Sequence, residues 1–93
     1  MKRIVVAYYI ADTKRRNKIA KCLEGYGIRV NYSVFECVLK PGPMKKMKKK
    51  LNSLLNEDED TIRIYQLCKD CIQKVDVFGD GLNGFDFPSC VVV

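Results

Sequence analysis

Apolar and polar positions alternate with three distinct periods along this chain. Residues 2–10 are almost continuously apolar and rich in β-branched and aromatic side chains, which predicts a strand buried on both faces. Asp12 follows as an N-cap, its carboxylate placed to accept from backbone N–H groups two or three residues on, and the helix it opens runs to about Glu24. Ile19, Ala20 and Leu23 form the apolar stripe of that helix, with Lys14, Arg15, Lys18 and Lys21 off it. Arg16, three residues before Ile19, extends the stripe toward the strand end, and Gly25 and Gly27 close the helix. Residues 29–31 and 32–39 then read as two strands, the second alternating roughly through Ser33-Val34-Phe35-Glu36-Cys37-Val38.

Pro41-Gly42-Pro43 predicts a turn with proline placed to open a second helix. Met44, Met47, Leu51, Leu54 and Leu55 fall at i, i+3, i+7, i+10 and i+11, one face of that helix, while Lys45, Lys46, Lys48, Lys49 and Lys50 cover the remainder. Asn56-Glu57-Asp58-Glu59-Asp60 is an acidic loop. Residues 61–67 form a fourth strand with Ile62 and Ile64 on one side and Arg63, Tyr65 and Leu67 on the other; residues 74–78 form a short fifth. The order βαββαβ, with an additional C-terminal edge strand, is the α+β, ferredoxin-like sandwich of two helices on one face of an antiparallel sheet. The other face of so small a sheet needs a cover, and a two-fold dimer with apposed sheets supplies it economically. Residues 1–79 are thus expected to form one domain. The tail, 80–93, is Gly/Asp-rich and then ends Phe87-Pro88-Ser89-Cys90-Val91-Val92-Val93, and is expected to pair as an edge strand with the partner subunit.

Charge sharpens this picture. The chain of 93 residues carries a net charge of +6, yet residues 1–50 hold 14 Lys and Arg against three acids and residues 51–93 hold three against eight. Such a division points to one basic face, whose usual partner is a polyanion, DNA or RNA. The first strand delivers its tip, Tyr8-Tyr9, into a helix start crowded with Lys14, Arg15, Arg16 and Lys18, a natural place to hold a phosphate.

Five cysteines in a chain without an export signal imply reduced thiols. Cys68-Lys69-Asp70-Cys71 has metal-ligand spacing, but a closed zinc site needs four ligands, histidine is absent and the other cysteines are scattered. Cys22 and Cys37 suit buried small apolar positions. No apolar run approaches the roughly 20 residues of a membrane helix, and Met1-Lys2-Arg3 leads into a strand with no cleavage site, so no membrane contact and a cytoplasmic location are expected.

Three stretches together resemble a known family: Val5-Val6-Ala7-Tyr8-x-Ile10; the long run from Arg15-Arg16-Asn17-Lys18 through Gly25-Tyr26-Gly27-x-Arg29-Val30-x-Tyr32-Ser33-Val34-Phe35-Glu36-Cys37; and Ile62-Arg63-Ile64-Tyr65-x-Leu67-Cys68-x-x-Cys71. Over about residues 2–79 the chain resembles CRISPR-associated protein 2, the small dimeric partner of the CRISPR spacer integrase. The resemblance implies a ferredoxin-like homodimer that bridges integrase dimers on prespacer DNA, holding phosphates without reading bases. For many members it also implies a metal-dependent nuclease, an endoribonuclease or double-stranded DNA nuclease, with an Asp at the first strand's end in each subunit sharing one Mg²⁺ across the dimer. A hard divalent ion wants carboxylate oxygens and activates a water against a phosphodiester. That Asp directly follows the Tyr that Tyr8 matches, and here Tyr9 stands in its place. Asp12 is the substitute ligand to consider for Mg²⁺, against its N-capping role.

By the same resemblance Arg15, Arg16, Lys18 and Arg29 are the nucleic-acid-binding candidates, and Tyr8, Ser33 and Phe35 line the cleft, with Phe35 better suited to core than to stacking. The leading expectation is a non-enzymatic scaffold and the alternative is the Mg²⁺-dependent endonuclease. A small-molecule-sensing regulator of the same fold lacks a Gly-rich binding loop in the body of the chain.

Overall fold

The computed structural model describes residues 1–68 and residue 76. Its elements are β1 (Lys2–Tyr9), α1 (Thr13–Glu24), β2 (Gly27–Asn31), β3 (Val34–Leu39), α2 (Pro41–Leu54) and β4 (Thr61–Leu67). The strands form one antiparallel sheet in the order β2-β3-β1-β4, which is the expected α+β, ferredoxin-like arrangement. Apart from Asp76, the predicted fifth strand over 74–78 and the tail 80–93 lie outside the described residues, as does Cys71. Among the described residues, no helix is long and apolar enough to cross a membrane.

β1 is the central strand, and its alternation sets the two faces. Ile4, Val6 and Tyr8 are buried together with Phe35, Cys37 and Leu39 of β3, beneath Ile19, Ala20, Cys22 and Leu23 of α1 and Met44, Met47 and Leu51 of α2. The expectation that β1 is buried on both faces is corrected within one chain: Arg3, Val5 and Ala7 are half-buried and Tyr9 is exposed. Both helices lie on the Ile4–Val6–Tyr8 side, so side chains of the opposite parity face outward.

Element boundaries follow local chemistry. The Asp12 carboxylate accepts from the Arg15 N–H at 2.9 Å, capping α1 as expected. The predicted turn at Pro41-Gly42-Pro43 is instead the first turn of α2: Pro41 sits at the helix start, where a missing N–H costs nothing, and Met44 N–H donates to the Lys40 carbonyl at 3.0 Å. β2 begins earlier than expected, at Gly27, and Tyr32-Ser33 form the turn into β3. The Asn31 side chain accepts from the Tyr32 N–H at 2.6 Å, and this local bond competes with continued strand pairing.

The acidic loop does more than add charge. Asp60 is a buried carboxylate that receives Arg15 Nε at 2.6 Å and Nη2 at 3.1 Å, with the backbone N–H groups of Ala11 (3.3 Å) and Asn56 (3.1 Å). Arg15 Nη2 also reaches Glu59 at 2.9 Å. This fork ties the β1–α1 loop to the α2–β4 loop. The Arg15 hydrogen bond, helped by the two backbone donors and opposed by burial, pulls the Asp60 carboxyl from its ordinary 3.8 down to about 2.

Two outcomes follow from this packing. A Cβ on Gly27 would collide with Cys37 Sγ and the Glu36 carbonyl oxygen across the β2–β3 pair, so Gly27→Ala should cost about 1–3 kcal/mol by denaturant unfolding. For Asp60 the ionised form is the one held in the fold. Its contribution is complete above about pH 4 and disappears as pH falls toward 2, so the melting-temperature gap between the parent and Asp60→Asn should be constant above pH 4 and close between pH 4 and 2.

Candidate nucleic-acid interface

The tip of β1 presents neighbouring tyrosines to opposite sides of the sheet. Tyr8 is buried on the helix side; Tyr9, paired with Thr61 of β4, is 72% exposed on the open side. Strand geometry imposes this, since successive side chains alternate. The basic helix start and Tyr9, where the resemblance implies an acid, are close in sequence, yet the sheet divides them.

On the helix side a tyrosine–arginine network assembles. The Tyr8 hydroxyl donates to the Tyr32 carbonyl at 3.3 Å and accepts from Arg29 Nη2 at 3.3 Å. Arg29, opposite Phe35 in the β2–β3 register, lays its guanidinium over the Phe35 ring, 5.4 Å from the centroid. Arg16 reaches in from α1: Nη1 donates to the Tyr32 hydroxyl at 2.8 Å, Nη2 to Thr13 Oγ1 at 3.4 Å, and the guanidinium lies 6.0 Å from the Tyr32 ring centroid. Its Nε is enclosed without a hydrogen-bond partner. Phe35 is fully buried with its ring 6.2 Å from that of Tyr8, so it serves as core and as a floor beneath Arg29. Ser33 enters through its backbone, its carbonyl accepting the Tyr8 N–H at 3.0 Å.

The four cations grouped in the sequence separate into three settings. Arg15 is neutralised by Asp60 and Glu59, which raise its pKa further above the usual arginine value and engage it in holding two loops together. Arg16 and Arg29 make their described hydrogen bonds to hydroxyls and their ring contacts to Tyr32 and Phe35, so their positive charge meets no acid there. Two positioned guanidiniums of that kind suit phosphate oxygens, which they can bind with forked donors. Lys18 lies two residues beyond Arg16, about 200° round the helix, and lines a separate groove with Lys21 and Lys50. Tyr32 is the participant the sequence reading did not single out. The sequence pattern places it at the start of a strand, and only the structure puts it in the turn between β2 and β3, within reach of Arg16.

The donor set at the strand tip does not suit Mg²⁺. The tip offers the Tyr9 phenol where a hard divalent ion would need a carboxylate. The Asp12 carboxylate is engaged as the α1 cap. Among the described residues no three His, Cys, Asp or Glu side chains cluster as a metal site. Cys22 and Cys37 are buried and unbridged as expected, and burial, then the charge of Glu36, pushes the Cys37 thiol up to about 11, which keeps it protonated.

Comparison with known proteins gives a consistent result. The family model described as CRISPR associated protein Cas2 matches residues 1–75. The chain is 46% identical to the CRISPR-associated endoribonuclease Cas2 1 of Chloroflexus aurantiacus over 78 residues, 83% of this chain and 84% of that protein. It superposes on the crystal structure of Streptococcus pyogenes Cas2 with a TM-score of 0.74 at 33% identity, covering 83% of this chain and 99% of the other. A chain of the partial Cas6-RT-Cas1–Cas2 complex is similar too, at TM-score 0.70 and 34% identity over 78% of this chain and 80% of that one. With its βαββαβ order and this match over most of its length, the chain belongs to the CRISPR-associated Cas2 family.

Proposed function

We propose that this protein acts in CRISPR adaptation as a homodimeric scaffold that holds prespacer DNA and bridges the spacer integrase. The observation that carries this reading is the exposed Tyr9 at the strand tip together with Arg16 and Arg29 behind it, which meet no acid among the described residues. Phosphate-holding chemistry is present, and the carboxylate that a metal-assisted cut requires is missing from the tip. Contacts of this type fix register on a duplex without reading its sequence.

The open face of the sheet supports self-association. Val38, Arg3 and Leu67 form one row across β3, β1 and β4; Ile28, Glu36, Val5 and Tyr65 form the next across all four strands; Val34, Ala7 and Arg63 form a third. A second copy related by a two-fold axis covers such a surface with the same surface. The integrase partner is supported by the similarity to a chain of the Cas6-RT-Cas1–Cas2 complex.

The Chloroflexus relative is named as an endoribonuclease, so cleavage is the reading to test against this one. The purified protein, incubated with Mg²⁺ or Mn²⁺ and labelled RNA and duplex DNA, should leave both intact, while Tyr9→Asp restores the missing ligand type. Turnover by the unchanged protein, abolished in Asp12→Ala, would replace the scaffold with an enzyme. Duplex binding measured across a salt series should lose affinity steeply. Arg16→Ala combined with Arg29→Ala should lower the slope of log K against log salt by roughly 2, one unit for each phosphate contact removed.

A further inference from the structure

The crevice between the two helices, on the layer away from the open sheet face, carries its own charge pattern. Lys18 and Lys21 of α1 and Lys50 of α2 rim a groove of about 380 Å³ that Cys22 and Leu54 also line, with no acid in the lining among the described residues. Burial pushes the Cys22 thiol up, with Lys50 as the weaker opposing influence, so the floor stays neutral and contributes no anion of its own. Lys14 stands one turn before Lys18, and Lys46 one turn before Lys50, both exposed, which prolongs each rim into a row along its helix. Lys48 takes the other flank of α2, beside Leu51, Asn52, Leu55, Ile62 and Ile64, and is not part of this groove.

The geometry points to a second phosphate-binding track in this α1–α2 groove, for the backbone of double-stranded DNA. The claim rests on the reading of the protein as a DNA-holding scaffold and adds a surface that Arg16 and Arg29 do not form. Three lysines facing one groove repel one another, and a polyanion relieves that repulsion. Lys14, Lys18 and Lys21 span roughly 10 Å along α1, the axial rise of about three phosphates on one strand of a duplex. Lysine ammonium groups act as mobile point charges without fixed donor geometry, which fits a backbone followed in any sequence rather than a small anion held in one pose. Among the described residues the groove has no aromatic side chain to stack on a base and no glycine-rich loop to cradle a nucleotide. It lies on the helix layer, so apposed sheets leave it open.

Two measurements on the intact protein test this. The first compares duplex binding by fluorescence anisotropy over a salt series for the parent, for Lys18→Gln/Lys21→Gln/Lys50→Gln, for Arg16→Ala/Arg29→Ala, and for Lys45→Gln/Lys49→Gln, two lysines on the solvent side of α2. Circular dichroism verifies that each variant is folded. The groove variant should lower the salt slope by roughly 2 to 3, additively with the arginine variant, while the solvent-side pair changes it little. An unchanged slope overturns the track, as does a solvent-side pair that lowers it as much per charge removed.

The second measurement is lysine acetylation footprinting by mass spectrometry with a 30-base-pair duplex. Lys18, Lys21 and Lys50 should be protected above Lys45 and Lys49; equal protection overturns the proposal, and so does equal protection by ATP at the same phosphate concentration. The two readings fail separately. Loss confined to the arginine variant removes the groove and leaves the scaffold, whereas loss confined to the groove variant upholds the track and removes the phosphate role of Arg16 and Arg29.

Discussion

The alternation of β1 between its two hydrogen-bonded neighbours is the constraint on which the rest of the molecule depends. β1 pairs with β3 on one side and β4 on the other, so its backbone cannot rotate to redistribute its side chains. Ile4, Val6 and Tyr8 therefore enter the core as a set, and Val5, Ala7 and Tyr9 leave it as a set. Everything at the strand tip inherits this parity. Tyr8 becomes the hub of the arginine network, and Tyr9 becomes an exposed aromatic at the strand tip on the open face.

The second organising element is the Arg15–Asp60 fork. A strand tip that presents groups to a ligand needs its following loop held, and the loop after β1 is only the three residues Ile10-Ala11-Asp12. Asp60 holds it by accepting the Ala11 N–H and the Arg15 side chain while also accepting from Asn56 at the start of its own loop. A cation that sequence position alone would assign to the ligand is therefore engaged in building the site. Arg16, one residue on, points elsewhere on the helix and, among the described residues, meets hydroxyls and not an acid.

Cation placement also separates function from solubility. The helices carry lysines on most of their outer surface, which by itself signals only a solvated layer. What distinguishes Lys18, Lys21 and Lys50 is convergence from two helices on one neutral groove. What distinguishes Arg16 and Arg29 is fixation by tyrosine hydroxyls and aromatic rings, which orders the guanidiniums without neutralising them. The two arrangements suit the same ligand chemistry in different ways, one by geometry and the other by accumulated charge.

Most of the architecture was legible in the sequence because it depends on local periodicity. The stripe Ile19-Ala20-Leu23, the spacing of Met44, Met47 and Leu51, the Asp12 cap and the separation of Ile62 and Ile64 from Arg63 and Tyr65 all appear in the structure where their periods place them. The substitution-like presence of Tyr9 after Tyr8 was legible too, since a residue's chemistry needs no coordinates. Tertiary structure alone decided how Arg15, Arg16, Lys18 and Arg29 divide among a loop fork, a tyrosine cluster and an inter-helix groove, and that Tyr32 joins them. Those assignments depend on contacts between residues up to 45 positions apart, which no short-range pattern encodes. β1 showed the same limit: its composition predicted burial on both faces, but burial depends on what packs against each face, and both helices pack against one.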